Sequence, residues 1–531
     1  MKRISATFRS DHIAGIVWAM LLLFVWILPG LLLSVNSYSL EYDYIQNVRV
    51  AASLSGDYLL PLDFSGFNFI PEHQGSELLR LILCKVSGLS IQELQFLPLG
   101  AILLPLTFYV LCREFLGSKV AALLSVSVAF DPTVVFTSYH TAIYAWSRPL
   151  LIAFVFLYAR ILKRKTPPLI LLSILVFIGL FTVYWTGSAL MISFSFLVNI
   201  LVMISWRASE QRNTSAWRVL TLSNTVAFLV IYLGFGEFAY HLLPSVLGQE
   251  AGGKFGSAFF SLTQRVLQLI GLAPPEQVVD TTYSGASFNQ TIQIFRYLLI
   301  ILPVIWFVAR EVRNVIVTRK MRLSYDVASL VLWSLVGVLL THTFLYSSYG
   351  HASTRYIALL GPLVAAIALD KCRVTDRMEL AFAAMLGLLA CVSFAIASPQ
   401  APDRASWAEI KPATVWFLEN AEQETLVSNV GTFGMFAMES VSQAVPPTYV
   451  CYLPAEYASV IGADDESGEL QEIRGYVVID KQITSSEVCP GFRYFDPLSN
   501  YLDQIDRNIN LDSVYDNGAI WILVPTKGTP R

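Results

Sequence analysis

Apolar runs of about twenty residues recur along most of this chain, parted by short polar segments, every second one of which is rich in Lys and Arg. A stretch such as "LILLSILVFIGLFTV" (169–183) offers nothing to water on any face. Hydrocarbon provides no partner for backbone N–H and C=O groups, so segments of this kind cross a bilayer as helices that satisfy themselves. Spans are expected near 13–35, 94–112, 118–131, 143–162, 167–184, 187–205, 218–240, 293–309, 326–345, 355–370 and 378–398, about eleven in all, with 118–131 conspicuously short. Only 14% of the residues are charged and 55% are hydrophobic. A soluble chain carries roughly 25% charged residues, so there are too few here to cover a wet surface. A net charge of -3 speaks against a nucleic-acid partner, which calls for a basic face.

The opening "MKRISATFRSDHIAGIVWAMLLLFVWILPGLLLSV" couples a basic start to an apolar run longer than a signal-peptide core of about 7–15 residues, with no small-residue cleavage site. It reads as a retained transmembrane helix. With the N-terminus inside, basic residues fall on the cytoplasmic side at each turn: Arg113 and Lys119; Lys163 to Lys165; Arg310, Arg313 and Arg319 to Arg322; Lys371, Arg373 and Arg377. An odd number of spans puts residues 399–531 outside. In that tail, "YVVID" and "AIWILVP" predict strands and "KPATVWFLENA" a helix, giving a small α/β domain after a transmembrane domain of residues 1–398.

Two outer loops are long, 36–93 and 241–292, and long loops in compact proteins tend to carry function. Within the first, "GSELLRLILCKVSGL" (75–89) predicts an interfacial helix, since Arg80 and Lys85 interrupt its apolar face. The second ends in the sequon Asn289-Gln-Thr291, a glycosylation site if it is outside. The sequon at Asn213 falls inside and should be silent. No metal-spacing or CxxC pattern involves the six cysteines. Cys451 and Cys489 are the tail's two; an oxidising exterior lets them pair, and two free thiols are the other reading.

Chemistry at the outer face has few candidates. In "SLEYDYIQNVRVAASLSGDYLLP" (39–61), Glu41 and Asp43 are one residue apart just beyond the first span and share a face if extended. Such a pair serves as oxygen ligands for a divalent cation such as Mg or Mn, or as a general base, or simply keeps a loop in water. Asp131, before Pro132, is either a second acidic site or a helix stop. Arg148, Arg296 and Arg355 lie near outer span ends, where an arginine binds phosphate or snorkels. His73, His140 and His351 are further outer-side ligand candidates, and Glu237 is costly in lipid unless it faces a cavity.

A first span, an acidic pair, a long outer loop reaching "PEHQGSELLRLILCKVSGLSIQELQFLPLG" and a short span ending in "VAFDP" together resemble the GT-C superfamily of membrane glycosyltransferases. "SSYGHASTRYIALLGPLVAAIAL", "WAEIKPATVWFLEN" and "LDSVYDNGAIWILVP" are similar to late segments of its archaeal oligosaccharyltransferase-like members. The resemblance implies a polytopic α-helical, GT-C-like membrane domain with an extracytoplasmic α/β domain, and a sugar donor on a polyprenyl phosphate. It implies an acidic site at Glu41 and Asp43, a second acidic site at Asp131 and a donor-phosphate contact at Arg355. On physical grounds Asp43 is then the preferred base, Glu41 and Asp131 assist it or bind a metal with it, and Arg296 and Arg148 are further candidates that anchor a span end or bind the donor phosphate. The chain departs from oligosaccharyltransferases at one place: where they carry Trp-Trp-Asp-Tyr-Gly, it reads "LVSNVGTFG". Transfer of one sugar to a glycan, lipid or protein acceptor at the plasma membrane's outer face therefore fits better than transfer of an oligosaccharide to asparagine. The competing classes are a transporter or flippase for a lipid-linked or small polar substrate, whose ionisable residues would sit near mid-membrane, and a non-catalytic relative.

Overall fold

The computed structural model describes residues 18–32, 74–89, 99–138, 143–164, 166–183, 185–208, 284–318, 326–345, 350–397, 407–420, 426–430, 448–451, 476–480 and 511–525. They fall into two compact units. The first holds α1 (Trp18–Leu32), α3 (Leu99–Arg113), α4 (Ser118–Ala129), α5 (Pro132–Ser138), α6 (Ile143–Lys163), α7 (Pro167–Val183), α8 (Trp185–Ala208), most of α9 (Ser284–Thr318), α10 (Val327–Leu345), α11 (Gly350–Lys371) and α12 (Asp376–Ala397). The second holds α2 (Gln74–Ser87), α13 (Trp407–Asn420) and five strands. The expected span 218–240 lies outside the described residues.

Among the described residues two helices, Ala145–Lys163 within α6 and Asp376–Ile396 within α12, are long and apolar enough to cross a membrane; Trp18–Leu32, Pro167–Val183 and Val327–Thr341 are among shorter apolar helices. Trp18, Phe24, Leu171, Phe196, Ile305 and Leu388 are all exposed on outward faces. Large apolar side chains spread over several helices would be untenable in water and are ordinary against lipid. The unit is a polytopic membrane bundle.

Inside the bundle, small residues let helices approach. Ala358, Ala365, Ala366 and Ala368 of α11 are fully or almost fully buried. A Cβ on Gly361 would stand 2.8 Å from Ile300 Cγ2 of α9, and one on Gly337 of α10 would stand 2.8 Å from Leu197 Cδ1 of α8. The Trp26 indole donates to Ser125 Oγ at 2.9 Å, tying α1 to α4.

One element differs in extent from the hydropathy pattern. The stretch expected to span 293–309 is part of the 35-residue α9. At 1.5 Å per residue that is about 52 Å, well beyond a hydrocarbon layer of about 30 Å. Its ends carry polar residues, which hydropathy discounts although the backbone continues to satisfy itself. The short span expected at 118–131 is α4, which has 12 residues and rises only about 18 Å before the chain breaks at Asp131 and continues as the separate α5. Asp131 then caps α5, accepting the Val134 N–H on Oδ1 at 3.2 Å, with Pro132 at the first helical position, where its missing N–H costs nothing.

In the second unit, the amphipathic α2 forms where the interfacial helix was expected and stops at Gly88, whose φ of 73° lies in the left-handed region. The sheet is made of β1 (Leu426–Val430), β2 (Thr448–Cys451), β3 (Tyr476–Asp480), β4 (Leu511–Asp516) and β5 (Ile520–Pro525), in the order β2-β1-β3-β5-β4. β1 runs parallel to β2 and β3, and β5 is antiparallel to β3 and β4. The β4–β5 hairpin turns on Asn517-Gly518, with Asn517 Oδ1 accepting the Ile520 N–H at 2.7 Å. Phe417 of α13 packs edge-on against Tyr476, its ring centroid 5.2 Å away.

Candidate functional site

Ionic contacts sort the ends of the first unit's helices into two sets. At one end, Glu114 after α3 pairs with Arg160 and Lys163 at the end of α6, at 2.6 and 2.8 Å. Arg310 of α9 donates to the Lys371 carbonyl at 2.6 Å, and Lys371 reaches Asp326 before α10 at 2.7 Å. All of these belong to segments that the charge pattern places inside. At the opposite ends, three ionisable residues assigned to the outer side come together: Asp131 between α4 and α5, Arg148 on α6 and Arg296 on α9.

Asp131 is 0% exposed, Arg296 1% and Arg148 2%. The Arg296 guanidinium forms a salt bridge through Nη1 to Asp131 Oδ2 and donates through Nη2 to the Ser127 carbonyl at 3.2 Å. Arg148 donates through Nη1 to the Val134 carbonyl at 2.8 Å. Tyr297 and Thr133 share a side-chain hydrogen bond beside the pair. The break between α4 and α5 organises all of this, because it exposes Ser127 and Val134 carbonyls on either side of the acid that holds Arg296. Two charges leave water only at a cost of several kcal/mol each, and a pair in direct contact offsets it. The Arg296 Nε is buried with no acceptor among the described residues. A guanidinium N–H without an acceptor is where an incoming anionic oxygen gains most.

Asp131 was expected at a wet interface. It is fully buried, at the break between α4 and α5. Both carboxylate oxygens are engaged, one by Arg296 and one by the α5 backbone. Among the described residues no three His, Cys, Asp or Glu side chains come together as a metal set.

Glu41, Asp43 and Cys489 lie outside the described residues, as do His73, His140 and Glu237. Arg355 and His351 lie on α11, Asn289 on α9 and Cys451 on β2, but their side chains lie outside the described ones. The sequence reading missed Tyr297, Thr133 and Ser127. The signal for the first two was adjacency, since Tyr297 follows Arg296 and Thr133 follows the Asp131-Pro132 break.

No family model matches the chain, and no curated protein matches it. Solved structures do. The archaeal oligosaccharyltransferase AglB from Archaeoglobus fulgidus, in complex with an inhibitory peptide and a dolichol-phosphate, is 12% identical at a TM-score of 0.48, over 87% of this chain and 70% of that one. ArnT from Cupriavidus metallidurans is 13% identical at 0.39, over 96% and 98%. The mycobacterial arabinofuranosyltransferase AftD is 13% identical at 0.45, over 95% and 41%. Two of these three are named as sugar transferases, an oligosaccharyltransferase and an arabinofuranosyltransferase. At these identities and scores no residue role passes from them to this chain.

Proposed function

We propose that the chain is a membrane glycosyltransferase that moves a sugar from a polyprenyl-phosphate-linked donor to a glycan, lipid or protein acceptor on the outer face of the plasma membrane. The observation that carries this reading is the buried Arg296, held by Asp131 on one side and offering an unaccepted Nε on the other. A lipid-linked donor keeps its tail in the bilayer and its phosphate at this depth. As the glycosidic C–O bond breaks, its electron pair stays on the phosphate, and a guanidinium fixed in a water-poor site stabilises that growing charge. Asp43, assisted by Glu41, takes the proton of the acceptor hydroxyl while its oxygen attacks the anomeric carbon from the opposite side, giving inversion. Arg148 and Arg355 complete the cationic surroundings of the phosphate. Glu41 and Asp43 are also the residues that would hold a Mg or Mn ion, which would supply further charge at the leaving oxygen.

The test is sugar transfer in proteoliposomes with a panel of polyprenyl-phosphate sugars and mixed acceptors. Wild type is expected to transfer from one donor, and Asp43→Asn and Arg296→Met to lose at least about a hundredfold of that activity. Transfer that survives both substitutions overturns the assignment. A buried ion pair on membrane helices also suits a lipid-linked-substrate flippase. Scrambling of a fluorescent polyprenyl phosphate by wild type, with no transfer to any acceptor, would select that reading instead.

A further inference from the structure

A second polar site lies on the same helix at the opposite end of the bundle. Arg310 is fourteen residues beyond Arg296, so about 21 Å further along the α9 axis. There a cleft of about 270 Å³ opens between α9, α10 and α11, walled by Phe307 and Trp333 and lined by Arg310, Glu311, Asp370 and Arg373. Lys371 and Asp326 also line it, and they neutralise one another at 2.7 Å.

The other four charges are not spent on each other. Arg310 uses one nitrogen on the Lys371 carbonyl, and neither it, Arg373 nor Glu311 has an ion-pair partner among the described residues; Asp370 comes no nearer than 4.0 Å to Lys371. Opposite charges lining one cleft normally collapse into pairs. Here the backbone keeps Arg373 apart. The residue occupies the left-handed region at φ 58°, where glycine is the usual helix terminator, and is held there by Arg373 N–H to the Asp370 carbonyl at 2.9 Å and Val374 N–H to the Leu369 carbonyl at 3.4 Å. The cleft thus presents two guanidinium groups, two carboxylates and an aromatic wall at the helix ends that the charge pattern places inside. Among the described residues the carboxylates do not form a metal-ligand set with a third group.

We infer that this cleft binds a zwitterionic phospho-amine, with Arg310 and Arg373 taking its phosphate and Glu311 and Asp370 its ammonium, on the face of the membrane opposite the proposed transfer site. A phosphate alone would meet two carboxylates, and an amine alone two guanidinium groups. A ligand that carries both charges a few ångströms apart satisfies all four, and Trp333 adds a cation–π contact. A phospholipid headgroup and a free phospho-amine share this chemistry.

The experiment uses the purified full-length protein in detergent, titrated calorimetrically with dihexanoyl-phosphatidylethanolamine, dihexanoyl-phosphatidylglycerol and soluble phosphorylethanolamine. Wild type is expected to bind the ethanolamine lipid about tenfold more tightly than the glycerol lipid. Glu311→Gln is expected to abolish that preference, and Arg373→Ala to weaken both lipids about tenfold, each at an unchanged melting temperature. Phosphorylethanolamine that competes at equal concentration identifies a soluble ligand; binding confined to the lipids identifies a headgroup; both sustain the site. Absence of saturable binding, or a preference that neither substitution moves, overturns it.

Discussion

Asp131 and Arg296 each stabilise the other in a place where neither would survive alone. Asp131→Asn leaves a guanidinium buried without its counter-ion, which costs about 3–5 kcal/mol when such a pair is broken from one side. Replacing both partners by apolar residues of similar volume, Asp131→Leu with Arg296→Met, is expected to cost far less than the single change. The measurement is the melting temperature of each purified variant in detergent. The double variant also separates stability from chemistry: a protein that melts like wild type yet no longer transfers sugar has lost the function of the Asp131–Arg296 pair rather than its fold. Each of these residues could be singled out from the sequence, because an ionisable side chain near a span end is costly unless it has a task. Their partnership could not, since it depends on α4 ending early enough to bury the acid beside a helix far along the chain.

Helix packing makes a sharper distinction between two glycines than composition does. At Gly361 the methyl of an alanine would meet Ile300 Cγ2, a branch fixed close to its own backbone. At Gly337 it would meet Leu197 Cδ1, the far end of a side chain that can swing away. Gly361→Ala is therefore expected to lose about 1–3 kcal/mol through overpacking, and Gly337→Ala clearly less, as read by thermal unfolding followed by size-exclusion chromatography. The same reasoning applies to turns. Gly518 holds φ 87° in the β4–β5 hairpin, so Gly518→Ala is expected to cost about 1 kcal/mol, even though nothing lies within 4 Å of an added Cβ. Hydropathy made most described spans legible, as it did the strands at 476–480 and 520–525 and the helix opening at Trp407. It missed the full length of α9, because a helix obeys its own backbone hydrogen bonds while the pattern registers only side-chain polarity; the stop at Asp131 was legible as an acid before a proline, but the helix α5 that follows it was not. The same blindness hid the cleft at Arg310 and Arg373: their charges fitted a simple rule about cytoplasmic loops, and the left-handed backbone that parts them has no glycine to announce it.

The two sets of helix ends give the bundle a polarity that can be tested as a whole. Arg310, Asp326 and Lys371 meet at one end, and Asp131, Arg148 and Arg296 at the other, as a chain that reverses direction at every span requires. Basic residues are retained on the cytoplasmic side, so the end with Lys371 and Arg373 should face inward. In a background with the six cysteines replaced, Ser87→Cys, exposed at the end of α2, and Thr375→Cys, exposed before α12, serve as reporters. A membrane-impermeant maleimide is expected to label Ser87→Cys in intact cells and Thr375→Cys only after permeabilisation. Reversal of that pattern would place Asp43 and Arg296 on the inner face, where their donor would have to be presented from the cytoplasm. Labelling of both from outside would mean that an odd number of spans no longer separates α2 from the loop before α12, and the passage of the chain between them would need to be redrawn. Only the expected pattern leaves an outer transfer site and an inner phospho-amine cleft on one continuous helix, α9, with the bilayer between them.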